Sequence, residues 1–189
     1  IGDIAMTADT SLTDSEIARI GARFDRPIVL VGLMGAGKST VGRRLAAMLG
    51  RDFIDADDAI EEAAQRSIPE IFDEFGEAYF RDGERRVIAR LIEENSGVIA
   101  TGGGAFVDAE TRALILETAI AVWIDCDIAT LVERTSRRNT RPLLRNRDPK
   151  AILTNLYDCC TVAAKSRIWK SCSATFLTTP SNGRKAASR

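Results

Sequence analysis

From residue 27 onward the chain alternates short apolar runs with longer stretches of helical periodicity. The runs at 28–31, 52–54, 97–100 and 119–124 are brief, rich in β-branched residues and bounded by turn residues, the pattern of strands covered on both faces. Apolar residues at spacings of three and four predict helices over 38–49, about 58–66, 77–94 and 107–117. Strands and helices in alternation predict an α/β fold with a parallel sheet, in which ligands bind beyond the C-terminal ends of the strands. Thr13 and Glu16 are spaced as a capping box, with Ile17 and Ile20 as the apolar face of an early helix. Asp148-Pro149, an N-cap followed by Pro at the first helical position, starts another helix with Ile152, Leu153, Leu156 and Tyr157 on one side. No internal repeat is visible.

Composition narrows the class. The 189 residues, 45% hydrophobic and 28% charged, suit one globular domain over 27–189 behind an N-terminal extension, 1–26, that carries one helix. A net charge of −1 gives no reason to expect nucleic acid or a membrane as partner, and no apolar run approaches the ~20 residues of a span. The N-terminus lacks the basic-then-apolar layout of a signal peptide, so a cytoplasmic location is expected. The chain has no histidine, and its four cysteines form no C-x-x-C pair. That removes histidine-based mechanisms and zinc sites of the usual spacing, and a reducing compartment argues against a disulfide framework.

The first chemical signal is "GLMGAGKST", residues 32–40, which follows the strand at 28–31 and opens the helix at 38–49. Gly32, four residues and Gly37-Lys38-Ser39 match every fixed position of the phosphate-binding loop. Gly32, Gly35 and Gly37 let the backbone curl its N–H groups around an anion at a helix N-terminus, where Ala36 and Thr40 complete the cradle. Lys38 is expected on the β- and γ-phosphates and the Ser39 hydroxyl on Mg²⁺.

The other strand ends then bear on the phosphate acceptor. No N-K-x-D string reads guanine, and the strand ending at Asp125 is followed by Cys126, without the Asp-Glu pair of oligomeric ATPases. Small-molecule kinases remain. Asp55-Ala56-Asp57 follows the second run, and in extended chain residues two apart point to one side, one to orient Mg²⁺ and one to accept a hydroxyl proton. An acidic strand exit with a helix N-cap is the plainer reading. Arg81 lies three residues before Glu84 on one helical face, either a carboxylate clamp with its orienting partner or a solvated ion-pair ladder. Thr101-Gly102-Gly103-Gly104 brings bare backbone to a strand end, and Arg134, Arg137, Arg138 and Arg141 lie in "RTSRRNTRPLL", a polar loop between helices that suits a lid.

Taken together, "GLMGAGKST", "DAD", "FGEAYFRDGE", "TGGGA" and "RPLL" resemble the shikimate kinase family, of the nucleoside-monophosphate-kinase-like group of P-loop proteins, over about residues 27–158. The resemblance implies a three-layer α/β/α fold with a five-stranded parallel sheet and a mobile lid at about 134–146. It also implies ATP and Mg²⁺, and transfer of the γ-phosphate to the 3-hydroxyl of shikimate in aromatic amino-acid (chorismate) biosynthesis. By motif, Asp57 resembles the residue holding the shikimate hydroxyls and the candidate base, and Arg81 the carboxylate clamp. Gly102, Gly103 and Gly104 are then the substrate-side backbone, Arg141 the catalytic lid arginine on the phosphates, Arg134 the adenine-side arginine, and Asp55 a magnesium residue behind Ser39. A monomer is expected.

The family pattern departs after residue 158. Its second clamp arginine falls in register on Cys160, with Arg167 seven residues further, and 159–189 holds no Asp or Glu among six Lys or Arg. A frame-shifted gene end or replaced tail has this composition. Two alternatives therefore stand beside shikimate kinase: a related nucleotide-binding protein with weakened or lost turnover, and a kinase for another small polyol such as gluconate.

Overall fold

Four parallel strands lie in the order β2-β3-β1-β4 in the computed structural model, which describes residues 13–21, 25–94, 96–136 and 148–158. They are β1 (Ile28–Val31), β2 (Phe53–Asp55), β3 (Val98–Ala100) and β4 (Ile120–Trp123). Every residue of β1 and β3 is buried, which requires cover on both faces. That cover comes from α2 (Lys38–Leu49), α3 (Ala56–Ala64), α4 (Ile68–Glu94), α5 (Ala109–Thr118) and α6 (Ile128–Ser136), with α1 (Asp14–Gly21) packed on α2. The fifth strand implied by the family resemblance is not among the described residues.

Register decides what meets at the sheet's C-terminal edge. Leu30 of β1 and Asp55 of β2 both pair with Ala100, so the loops after β1, β2 and β3 leave the sheet at one level. Because β2 lies beyond β3 while β4 lies on the other side of β1, the chain reverses its direction across the sheet at its centre, the place where such folds bind ligands. Thr101 fixes the exit of β3: its amide and its hydroxyl both donate to the Leu30 carbonyl at 3.1 Å.

Element ends follow local chemistry. The expected capping box is formed: the Thr13 amide donates to Glu16 Oε2 at 2.9 Å and the Glu16 amide to Thr13 Oγ1 at 3.4 Å. Helix α2 ends at Gly50 in the left-handed region, φ 62°. Asp108 caps α5 through the Thr111 amide, and Asp148 accepts from the Lys150 amide at 3.0 Å as residues 149–158 turn helical. Leu153 of that segment is fully buried in the main core with Leu30, Ile88, Ile99, Ile115 and Leu131. Each such side chain contributes about 1.5–3 kcal/mol by leaving water.

Two expectations are corrected here. The helix expected over 77–94 begins nine residues earlier, at Ile68, with a kink at Gly76, where φ is 80° and ψ 175°. Ser67 and Glu70 form a capping box at its true start, with the Ser67 amide on Glu70 Oε2 at 2.8 Å. Arg134 belongs to no loop: it stands in the last turn of α6, whose start is capped by Asp127 on the Thr130 amide.

Candidate active site at the sheet's C-terminal edge

The loop after β1 curls around its own lysine. Gly32, Gly35 and Gly37 all have positive φ (141°, 84° and 93°), conformations an L side chain resists, and Gly37 opens α2. Lys38 is buried, and its Nζ donates to the carbonyls of Gly32 at 2.8 Å and Leu33 at 3.0 Å. Ala36 is buried beneath the loop and Thr40 is exposed in the first turn of α2. Ser39 Oγ donates to Asp55 Oδ2 at 2.6 Å. Asp55 Oδ1 accepts from the Asp57 amide at 3.2 Å, making Asp55 the N-cap of α3.

That geometry corrects the reading of "DAD" as extended chain. The strand stops at Asp55, and Asp57 lies in the first turn of α3. The two carboxylates still border one region, because Asp55 turns to Ser39 while Asp57 reaches the loop after β3. The fit to a nucleotide with Mg²⁺ rests on the donor set: a lysine ammonium inside a ring of backbone, and a hydroxyl held by a carboxylate. A magnesium ion takes few protein ligands of this kind and completes its shell with water and phosphate.

Each of the three glycines at 102–104 faces a different neighbour. A Cβ on Gly102 would lie 2.8 Å from Asp57 Oδ1 and 2.9 Å from Glu84 Oε1. On Gly103 it would lie 2.6 Å from the backbone nitrogen of Met34, in the phosphate loop, and on Gly104 2.5 Å from Arg81 Nη2. The strand end is thus pressed at once against the phosphate loop and against the side chains of α3 and α4. The sequence showed three glycines; only the fold shows that each answers a separate contact.

Arg81 and Glu84 form the charged centre of this region. Arg81 Nη1 donates to Glu84 Oε2 at 2.6 Å, with the Glu84 side chain wholly buried and Arg81 17% exposed. Glu77, 57% exposed, takes Arg81 Nη2 at 3.3 Å. Glu84 Oε1 has no hydrogen-bond partner among the described residues. Burial pushes the Glu84 carboxyl above its ordinary range against the pull of Arg81, and the charges of Asp57 and Asp108 add to the rise. Burial disfavours the charged Arg81 guanidinium, yet Glu84 and then Glu77 outweigh it and hold that group more firmly charged than usual. Asp108 is lowered despite some burial, chiefly by the Thr111 amide that donates to it, with Arg85 and Arg81 helping.

The last turn of α6 closes the loop from the other side. Arg134 Nη1 donates to the Gly35 carbonyl at 3.1 Å and lies 4.0 Å from the Cys126 sulfur. Burial raises the Cys126 thiol, while Arg134 partly offsets this. Lys38, Ser39, Asp55, Asp57, Arg81, Gly102, Gly103, Gly104 and Arg134 therefore lie around one edge. Arg141, with the rest of the proposed lid after residue 136, lies outside the described residues, as do Cys160 and Arg167. The sequence did not show the Thr101 bonds to Leu30, the approach of Gly103 to Met34 or the Glu77 contact, of which only the last carried a signal, the four-residue spacing of Glu77 to Arg81.

The sequence profile of shikimate kinase matches residues 34–176. The chain belongs to the shikimate kinase family. The shikimate kinase of Novosphingobium aromaticivorans is 60% identical over 151 residues, covering 78% of each chain. That of Rhodopseudomonas palustris is 51% identical over 150 residues, covering 79% of this chain and 74% of its own. Among solved structures, a shikimate kinase from Acinetobacter baumannii in complex with shikimate superposes with a TM-score of 0.73 at 35% identity, covering 87% of this chain and 88% of that one. The profile match continues beyond residue 158, where the motif comparison stopped. Among the described residues no helix is long and apolar enough to cross a membrane.

Proposed function

We propose that this shikimate kinase family member transfers the γ-phosphate of ATP to the 3-hydroxyl of shikimate. The observation that carries this reading is the close approach of Gly103 to Met34, which joins an anion-binding loop directly to a cluster of a carboxylate, a buried guanidinium–carboxylate pair and bare glycine backbone. An acceptor with one carboxylate and ring hydroxyls suits that cluster: Arg81 takes the carboxylate, and Asp57 holds the hydroxyls and receives the departing proton. Lys38, Ser39 and the loop amides hold the phosphates, and Arg134 keeps the loop's shape through Gly35. Mg²⁺ at Ser39 and Asp55, when bound, neutralises phosphate charge. Work as a monomer in the cytoplasm accompanies this reading.

Gluconate also carries a carboxylate that Arg81 could take, so the clamp alone does not separate the two acceptors; the match to shikimate kinases at 60% and 51% identity is what favours shikimate. The test is ADP release by the purified chain with ATP and Mg²⁺. Release that depends on shikimate and not on gluconate is expected; release with gluconate alone overturns the substrate, and ATP binding with no shikimate-dependent release overturns the turnover.

A further inference from the structure

We propose that Glu77 is a resident carboxylate that occupies the substrate face of Arg81 and must be displaced when the substrate's carboxylate binds. The proposal rests on Arg81 being the carboxylate clamp. The two carboxylates on this guanidinium are not equivalent. Glu84 holds Nη1 at 2.6 Å from a fully buried position, and Glu77 holds Nη2 at 3.3 Å from a largely exposed one. A guanidinium grips a carboxylate bidentately either end-on, through both Nη atoms, or side-on, through Nε and Nη2. Both modes require Nη2, the nitrogen beside the triple-glycine loop, 2.5 Å from where a Gly104 Cβ would stand. The nitrogen that both modes need is therefore the one on which Glu77 already sits.

Glu77 is also the cheaper partner to displace. Its contact is longer, and an exposed ion pair contributes little because water and salt compete for both ends. Release of Glu84 would instead strand a buried carboxylate whose other oxygen already lacks a partner among the described residues. Glu77 immediately follows the Gly76 kink, at the start of the second half of α4, so its side chain can swing to solvent while the helical spacing of Arg81 and Glu84 stays fixed. Without substrate, Glu77 keeps Nη2 of the clamp partnered; with substrate, it competes and weakens binding. Glu77 thus sets substrate affinity without touching the reacting atoms.

The test is titration of the full chain with shikimate, comparing the parent with Glu77→Gln, Glu77→Ala and Arg81→Ala. Both Glu77 variants should bind shikimate about two- to fivefold more tightly at low ionic strength, with the gain fading near 1 M salt. KM should fall with kcat and ATP affinity unchanged. Arg81 in the Glu77 variants should also react faster with phenylglyoxal, read by peptide mass mapping without any substrate. If Arg81→Ala loses shikimate binding but both Glu77 variants bind no better than the parent, the competition is refuted and the clamp stands. If Arg81→Ala binds shikimate as the parent does, the clamp reading falls and this proposal with it.

Discussion

Asp55 holds the hydroxyl of Ser39 at 2.6 Å with one carboxylate oxygen and, with the other, the amide of Asp57 at 3.2 Å. One side chain therefore couples the first turn after the phosphate loop to the first turn of the helix that carries the proposed base. Asp55→Ala removes both bonds. The loss of an N-cap costs about 1 kcal/mol, read as a lower midpoint in denaturant. The Mg²⁺ concentration needed for half-maximal turnover should rise well before ATP affinity falls, because the ion loses the carboxylate behind Ser39.

Lys38→Met removes the ammonium inside the loop. Turnover should fall below detection, since its charge is needed on the transferring group. The carbonyls of Gly32 and Leu33 lose their donor, a cost of about 1–3 kcal/mol that still leaves a folded chain by circular dichroism. Parent-level turnover in this variant contradicts the phosphate-loop assignment.

Asp57→Asn keeps size and removes charge. Shikimate phosphorylation should drop by roughly 10²- to 10⁴-fold in kcat, with ATP affinity nearly unchanged. A change confined to ATP affinity would move Asp57 to the metal side.

Alanine at the three glycines should separate their roles. The Cβ at Gly103 meets the Met34 backbone at 2.6 Å, which can yield only by moving the phosphate loop, so Gly103→Ala should lose thermal stability and ATP binding together. The Cβ at Gly104 meets the end of the Arg81 side chain at 2.5 Å, which can yield by rotating, so Gly104→Ala should weaken shikimate binding and leave ATP binding unchanged, its stability cost coming from the disturbed Arg81–Glu84 pair. Differential scanning calorimetry and separate titrations with each ligand distinguish the two patterns.

Glu84 gives a pH signature. Its folded-state pKa is raised above the ordinary 4.5, chiefly by burial, so the folded protein keeps this proton when the unfolded chain has lost it. Stability from that proton is full below about 4.5 and is lost as pH rises toward the raised value. The parent should therefore lose stability relative to Glu84→Gln as pH climbs from about 4.5, measured by denaturant titration across that range. A difference that is flat in pH contradicts the burial of a titrating carboxyl here.

Much of this protein is written locally. The phosphate loop is legible because glycine spacing, a buried strand before it and an amphipathic helix after it are all short-range requirements, and all four observed strands lie within a residue of the expected runs. The capping box at Thr13 and the N-cap at Asp148 were readable for the same reason, and Ser67-Ile68-Pro69-Glu70 carried an equally plain signal for the start of α4. Arg134 was misplaced because its helix is short and its arginine-rich end resembles a polar loop. What only the tertiary structure decided is convergence. Inserting β3 between β1 and β2 brings residues 34, 57, 84 and 103 to one edge, and no local pattern encodes that. Periodicity places Arg81 and Glu84 on one helical face, but it cannot say whether that face meets water or the core. The packing of α4 over Gly102–Gly104 buries Glu84 completely and turns an ordinary surface spacing into a charged pair shielded from solvent, because the dielectric around a side chain is a property of its neighbours in space and not of its neighbours in the chain.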